Sequence, residues 1–129
     1  MRILLVEDNR ADARLTDEIL KDTGLEHELV WFNDGKKAID YVQSDGDFDL
    51  FILDLNLPKA SGLEVAAILR KKERFRNTPV IMMTGSNSPS DKAIAEGEGL
   101  LHYIVKPMTI EEIDRTVLEI KDIALGRKK

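Results

Sequence analysis

Four apolar runs in this chain each stop at a residue able to handle a phosphoryl group. Residues 3–6 run into Glu7 and Asp8, residues 50–53 into Asp54, residues 80–83 into Thr84, and residues 103–105 into Lys106. If the strands ending at Asp8 and Asp54 are neighbours, three carboxylates converge, and they stay ionised together only when a cation joins them. Magnesium suits such a site, because it takes oxygen ligands in octahedral geometry, keeps some water and is commonly shared with a phosphate. Asn56, two residues past Asp54, is placed to add a main-chain carbonyl to Glu7, Asp8 and Asp54. Asp54 itself follows four large apolar residues, where a lone acid is more often functional than decorative. A carboxylate is a competent nucleophile toward phosphorus, and the acyl phosphate it forms is labile. Thr84 brings a hydroxyl donor and Lys106 a fixed positive charge toward oxygens that gain negative charge. Pro107 restricts the backbone of Lys106 and so helps aim it.

Each of these residues also has an ordinary use. Glu7 and Asp8 suit exposed loop acids, with Asp8 or Asn9 capping a nearby helix. Thr84 is a good β residue, and a lysine at a strand end is usually solvated with its stem on apolar neighbours. One by one the ordinary uses win; their joint placement at one sheet edge is what makes them improbable.

The elements that must position these residues follow from the pattern. Unbroken apolar runs of about four residues are what parallel strands buried on both faces require, and in such sheets ligands bind beyond the carboxyl ends. Helical periodicity between the runs gives an α/β fold with helices on both faces of the sheet. Over residues 10–23, Ala11, Leu15 and Ile19 predict a helix stripe, and Gly24 ends it. Residues 29–32 read as a second strand, at the sheet edge because His27 and Glu28 open it. After the turn at Asn33 to Gly35, Asp34 caps a helix bearing Ala38, Ile39 and Val42. A loop from Leu55 to Gly62 precedes a helix with Leu63, Ala66, Ala67 and Leu69. Ser88 and Pro89 predict another helix start, with Gly97 and Gly99 at its end. The last helix, 109 to about 125, opens on a capping box of Thr109 and Glu112 and puts Ile110, Ile113, Val117, Ile120 and Ala124 on one face, leaving Leu118 and Leu125 off it.

The 129 residues suit one domain over 1–129, with no separate output module. The chain has no cysteine, hence no disulfide framework and no thiolate nucleophile. Its formal charge of −5, from 24 acidic and 19 basic side chains, disfavours direct binding to nucleic acid. No stretch reads as a signal peptide or membrane span, so a cytoplasmic protein is expected.

With these residues in order, the sequence resembles the receiver domain of two-component response regulators, a CheY-like, flavodoxin-like fold, from about residue 2 to 124. The family's acidic pair, phosphoacceptor aspartate, hydroxyl residue and lysine-proline fall on Glu7-Asp8, Asp54, Thr84 and Lys106-Pro107, and its loop proline and glycine on Pro58 and Gly62. The stretches Val6-Glu7-Asp8-Asn9 and Asp54-Leu55-Asn56-Leu57-Pro58 are especially similar to the stand-alone receivers that partner bacterial phytochrome-type kinases.

The resemblance implies a doubly wound five-stranded parallel sheet of order 2-1-3-4-5 with five helices. It implies transfer of phosphate from a histidine kinase to Asp54 with Mg²⁺ or Mn²⁺, held by Asp8 directly, Glu7 through water, Asp54 and the Asn56 carbonyl. Such a protein is not an enzyme in the ordinary sense but catalyses its own phosphorylation and dephosphorylation. Thr84 and Lys106 would contact the phosphoryl oxygens, and Tyr103 matches an aromatic that swings inward with the threonine, although it also suits an ordinary edge-strand aromatic. Signalling would run through residues 84–106 to a downstream protein target, the kinase would dock beside Asn9, Arg10 and Asp12, and a homodimer through the face of the fourth helix, fifth strand and last helix is compatible with the exposed leucines. A haloacid-dehalogenase-type phosphatase fits poorly, since Asn56 stands where a second aspartate belongs. A flavodoxin-like flavin binder needs a hydroxyl- and glycine-rich loop where Glu7-Asp8-Asn9 stands.

Overall fold

The computed structural model describes residues 1–24, 26–44, 47–57, 61–85, 102–106, 109–112, 114–116 and 118. The apolar runs become five parallel strands, β1 (Arg2–Val6), β2 (Glu28–Phe32), β3 (Leu50–Asp54), β4 (Val80–Thr84) and β5 (His102–Val105). They hydrogen-bond in the order β2-β1-β3-β4-β5. All residues of β3 and β4 are buried, which is why those runs carry no polar residue before their ends. The edge strand β2 has no fully buried residue, in keeping with its charged start.

Between the strands run α1 (Arg10–Asp22), α2 (Gly35–Ser44) and α3 (Gly62–Arg70). The two-residue alternation of the strands divides the core into two layers. Leu4, Val6, Phe51, Leu53, Val80 and Met82 pack with Ala38 and Val42 of α2 and Val65, Ala66 and Leu69 of α3. Ile3, Leu5, Leu50, Ile52, Ile81 and Met83 pack with Ala13, Ile19 and Leu20 of α1. After β1 the chain goes to β2 on one side and β3 on the other. Their carboxyl ends therefore border the crevice where ligands bind in open sheets.

The helix ends are set by side chains the sequence supplies. Asn9 Oδ1 accepts the Asp12 N–H at 3.1 Å, and Asp34 Oδ1 accepts the Lys37 N–H at 2.8 Å. Gly24 takes a left-handed φ of 76°, the conformation that ends α1 cheaply only with glycine. Thr109 and Glu112 form the expected capping box: Glu112 N–H donates to Thr109 Oγ1 at 3.1 Å and Thr109 N–H to Glu112 Oε1 at 3.2 Å. Residues 110–112, 114–116 and 118 are helical.

Two expected stripes shift. In α1 the buried positions are Ala13, Thr16, Ile19 and Leu20, whereas Leu15 is exposed. A stripe of strict four-residue steps drifts around a helix of 3.6 residues per turn, and the alternating steps from 13 to 16 to 20 follow the sheet instead. Ile110, expected on the core face of the last helix, is 43% exposed; it is the first helical residue after Thr109, at an exposed end. Leu118 is exposed as expected. Pro58, Ser88, Pro89, Gly97, Gly99, Pro107, Ile113, Val117, Ile120, Ala124 and Leu125 lie outside the described residues. Among the described residues no helix is long and apolar enough to cross a membrane.

Gly62 opens α3 directly under β3. Its N–H donates to Leu55 O at 3.1 Å, and a Cβ at this position would collide with the Asp54 carbonyl oxygen and lie 2.9 Å from Met82 Sδ. Gly62→Ala therefore forces α3 away from β3 and should cost roughly 1–3 kcal/mol, read as a lower urea midpoint at unchanged slope.

At the far end of α1, Asp17 Oδ1 lies 3.0 Å from His27 Nε2 and Oδ2 lies 3.1 Å from Lys21 Nζ. Burial pushes the Asp17 carboxyl up, but the hydrogen bonds from His27 and Lys21 outweigh it and hold the group below its ordinary value of 3.8. A depressed folded-state pKa contributes stability that is present above the unfolded value and lost as pH falls through the folded one. Asp17→Asn should thus be less stable than wild type by ~0.5–1 kcal/mol at pH 7. Urea melts at pH 7 and near pH 3 check this, with the difference shrinking at the lower pH.

Candidate functional site

The site is built at the carboxyl ends of β1, β3, β4 and β5. Glu7 directly follows β1, where its N–H donates to Phe32 O at 3.0 Å and its carbonyl accepts the indole N–H of Trp31 at 2.8 Å. These two bonds tie the acidic turn to the end of β2. Asp54 ends β3, with its backbone beside Met83 of β4, and the following Leu55 N–H donates to Met83 O at 2.8 Å. The Asn56 N–H turns back to Asp54 Oδ1 at 3.0 Å, a local aspartate turn that fixes the carboxylate. Thr84 ends β4 and is fully buried, and Lys106 N–H donates to its carbonyl at 2.7 Å.

Lys106 is the centre of the arrangement. Its Nζ donates to Glu7 Oε1 at 2.5 Å, to Asp54 Oδ2 at 3.0 Å and to Asp12 Oδ2 at 3.1 Å. Glu7 is 0% exposed and Asp54 is 4% exposed, so both carboxylates have left water. Burial pushes the Glu7 carboxyl up to about 7, helped by neighbouring Asp54 and opposed by Lys106. Burial alone would pull the Lys106 ammonium down, but Glu7 and Asp54 overcome it and hold the group above the ordinary lysine range. Three carboxylates, those of Glu7, Asp12 and Asp54, thus share one ammonium, and Asp8 adds a fourth acid beside them.

The acids fit a divalent cation. One oxygen each from Glu7, Asp8 and Asp54 lies within 4.8 Å of the others, Asp8 exposed and the other two buried. All-oxygen donors with an open side toward solvent match hard cations that keep water in their shell. A cation beside these carboxylates would offset the burial and the neighbouring Asp54 that raise the Glu7 carboxyl.

The structure therefore brings Glu7, Asp8, Asp54 and Lys106 together. Asn56 adjoins them through its N–H to Asp54, and Thr84 stands at the end of the adjacent strand. Tyr103 is half-buried on β5, paired with Met82, and packs on the core layer covered by α2 and α3. Two contacts were not foreseen from sequence. Asp12, expected only as part of a docking surface, reaches Lys106, and the usable signal was its position one helical turn past Asp8. Trp31 reaches the Glu7 carbonyl across the edge of the sheet, and no local pattern announces that bond.

The family described as the response regulator receiver domain matches residues 3–118. The chain is 40% identical to the probable methanogenesis regulatory protein FilR2 of Methanothrix harundinacea, over 96% of this chain and 83% of that protein. It is 36% identical to the response regulator Rcp1 of Synechocystis, over 95% of this chain and 88% of Rcp1. The crystal structure of the Mn(2+)-bound form of Rcp1 superposes with a TM-score of 0.77 at 32% identity, covering 99% of this chain and 96% of that one. The bacteriophytochrome response regulator RtBRR gives a TM-score of 0.80 at 35% identity, covering 92% of this chain and 76% of that one. Sheet order, site placement and similarity along nearly the whole length lead to one conclusion: the chain belongs to the response regulator receiver domain family, the phosphoacceptors of two-component signalling.

Proposed function

We propose that this protein accepts a phosphoryl group on Asp54 from a sensor histidine kinase and signals the change to a partner protein. One observation carries the reading: a buried carboxylate at the end of a central strand, hydrogen-bonded to Lys106 Nζ at 3.0 Å and grouped with two further acids. In the transfer, an Asp54 oxygen attacks phosphorus, the phosphorus–nitrogen bond of the phosphohistidine breaks, and the imidazole leaves as the neutral ring after taking a proton from water. Lys106 and the Thr84 hydroxyl meet the oxygens that gain charge. Reversal of the signal is hydrolysis of the acyl phosphate, which returns inorganic phosphate and the free carboxylate.

Mg²⁺, or Mn²⁺ in its place, would be held by Asp8, Asp54, the Asn56 carbonyl and Glu7 through water, and would supply charge neutralisation between the acids and the phosphoryl oxygens. The Mn(2+)-bound form of Rcp1 supports binding of a divalent ion. Similarity to the bacteriophytochrome response regulator RtBRR supports a phytochrome-type kinase as the donor.

Phosphorylation adds roughly −1.5 to −2 charge at Asp54, and Thr84 and Lys106 are the groups placed to respond. Alternation along the strands sets Thr84 on the same face of the sheet as Met82, whose partner on β5 is Tyr103. A pull on Thr84 is thereby passed to Tyr103 and the surface around it, across residues 84–106.

The test is phosphotransfer from a sensor histidine kinase to wild type and Asp54→Asn, with and without a chelator. Wild type should be labelled, Asp54→Asn should not, and chelation should abolish labelling. Equal labelling of the two proteins would sink the assignment.

A further inference from the structure

An ammonium has three N–H donors, and in Lys106 all three are taken by carboxylates, at 2.5 Å from Glu7, 3.0 Å from Asp54 and 3.1 Å from Asp12. Before Asp54 is phosphorylated, an incoming phosphoryl oxygen gains a hydrogen bond from Lys106 only if one of these acids gives its own up. Glu7 has no exposed surface, so releasing it strands a buried charge. Asp54 is 4% exposed, so releasing it before the bond to phosphorus forms likewise strands a buried charge. The Asp12 side chain is 41% exposed, and water replaces Lys106 there at little cost. Asp12 is also held independently of Lys106: its N–H donates to Asn9 Oδ1 and its carbonyl accepts the Thr16 hydroxyl at 3.0 Å. Letting go of Lys106 therefore leaves the first turn of α1 intact.

Resting on the reading of Asp54 as phosphoacceptor, we propose that Asp12 is a positioning residue for the transfer, a carboxylate that occupies one Lys106 donor at rest and yields it to the phosphoryl group. It acts through Lys106 and touches no reacting atom. Because it sits on the exposed first turn of α1, a docked partner that pairs with Asp12 frees the same donor. The rate of phosphorylation is thereby tied to what lies against that turn.

The experiment uses acetyl phosphate at saturating Mg²⁺, which removes the kinase from the measurement. The acetyl oxygen–phosphorus bond breaks, the bond from Asp54 oxygen to phosphorus forms, and acetate leaves; intact mass reports the rate. Asp12→Asn should be phosphorylated roughly three- to fivefold faster than wild type, the scale of a partly exposed ion pair. Asp12→Glu, which keeps the charge, should stay within about twofold of wild type on the same scale. In a Lys106→Gln background the gain from Asp12→Asn should disappear, which separates action through Lys106 from plain repulsion of the anionic donor. Asp12→Ser serves in the same cycle if Asp12→Asn does not fold. No gain in a folded, neutral variant, an equal gain without Lys106, or a charged variant as fast as the neutral one would overturn the role of Asp12. Unlabelled wild type would instead overturn the phosphoacceptor reading, and this proposal with it.

Discussion

The ammonium of Lys106 is the interaction on which the site depends. It joins Glu7, Asp12 and Asp54, residues 99, 94 and 52 positions away in the chain. Two of these carboxylates are buried, and neither is tolerable there without a counter-charge. The fold provides the convergence: β1 and β3 are neighbours, β4 brings Thr84 alongside, and β5 delivers Lys106 from the next position in the sheet. Gly62 allows α3 to begin against the backbone of Asp54, so the end of β3 is held by the helix as well as by its neighbouring strands. Partial neutralisation is the resulting state, one positive charge among four negative ones, and it leaves work for a divalent ion.

The strand alternation gives the site two sides. Glu7 continues the face of Leu5, Asp54 that of Ile52, and Lys106 that of Ile104, all on the layer that packs against α1. Thr84 continues the face of Met82, and Tyr103 packs with that same layer under α2 and α3. The acid cluster with Lys106 and the pair of Thr84 and Tyr103 thus belong to opposite faces of one sheet edge. Thr84 is the residue that adjoins both.

Much of this was legible in the sequence for physical reasons. Doubly buried parallel strands leave unbroken apolar runs, so β1, β3 and β4 and their reactive ends could be read directly, and the caps at Asn9, Asp34 and Thr109 announced helix starts. What escaped were the relations that no local pattern encodes. The buried face of α1 was misplaced because Thr16 is buried while Leu15 is not, so apolar spacing alone pointed to the wrong side. The reach of Asp12 to Lys106 depends on the angle at which α1 leaves the sheet. The bond from Trp31 to the Glu7 carbonyl depends on the register of β2 against β1, which pairs Trp31 with Leu5. Ser61, whose hydroxyl accepts the Glu64 N–H and caps α3, was readable in principle but hidden in a loop rich in other turn residues.

Lys106 stands among the acids as their internal counter-charge, where a divalent ion would compete with it. Calorimetric titration of Mg²⁺ into wild type and Lys106→Met tests it most directly. Removing one positive charge a few ångströms from the ligands should tighten Mg²⁺ binding by roughly tenfold at low salt, with a smaller gain as salt is raised. Unchanged or weaker binding by a folded Lys106→Met protein would contradict the account, because the ammonium would then not be what holds these carboxylates in place of a metal.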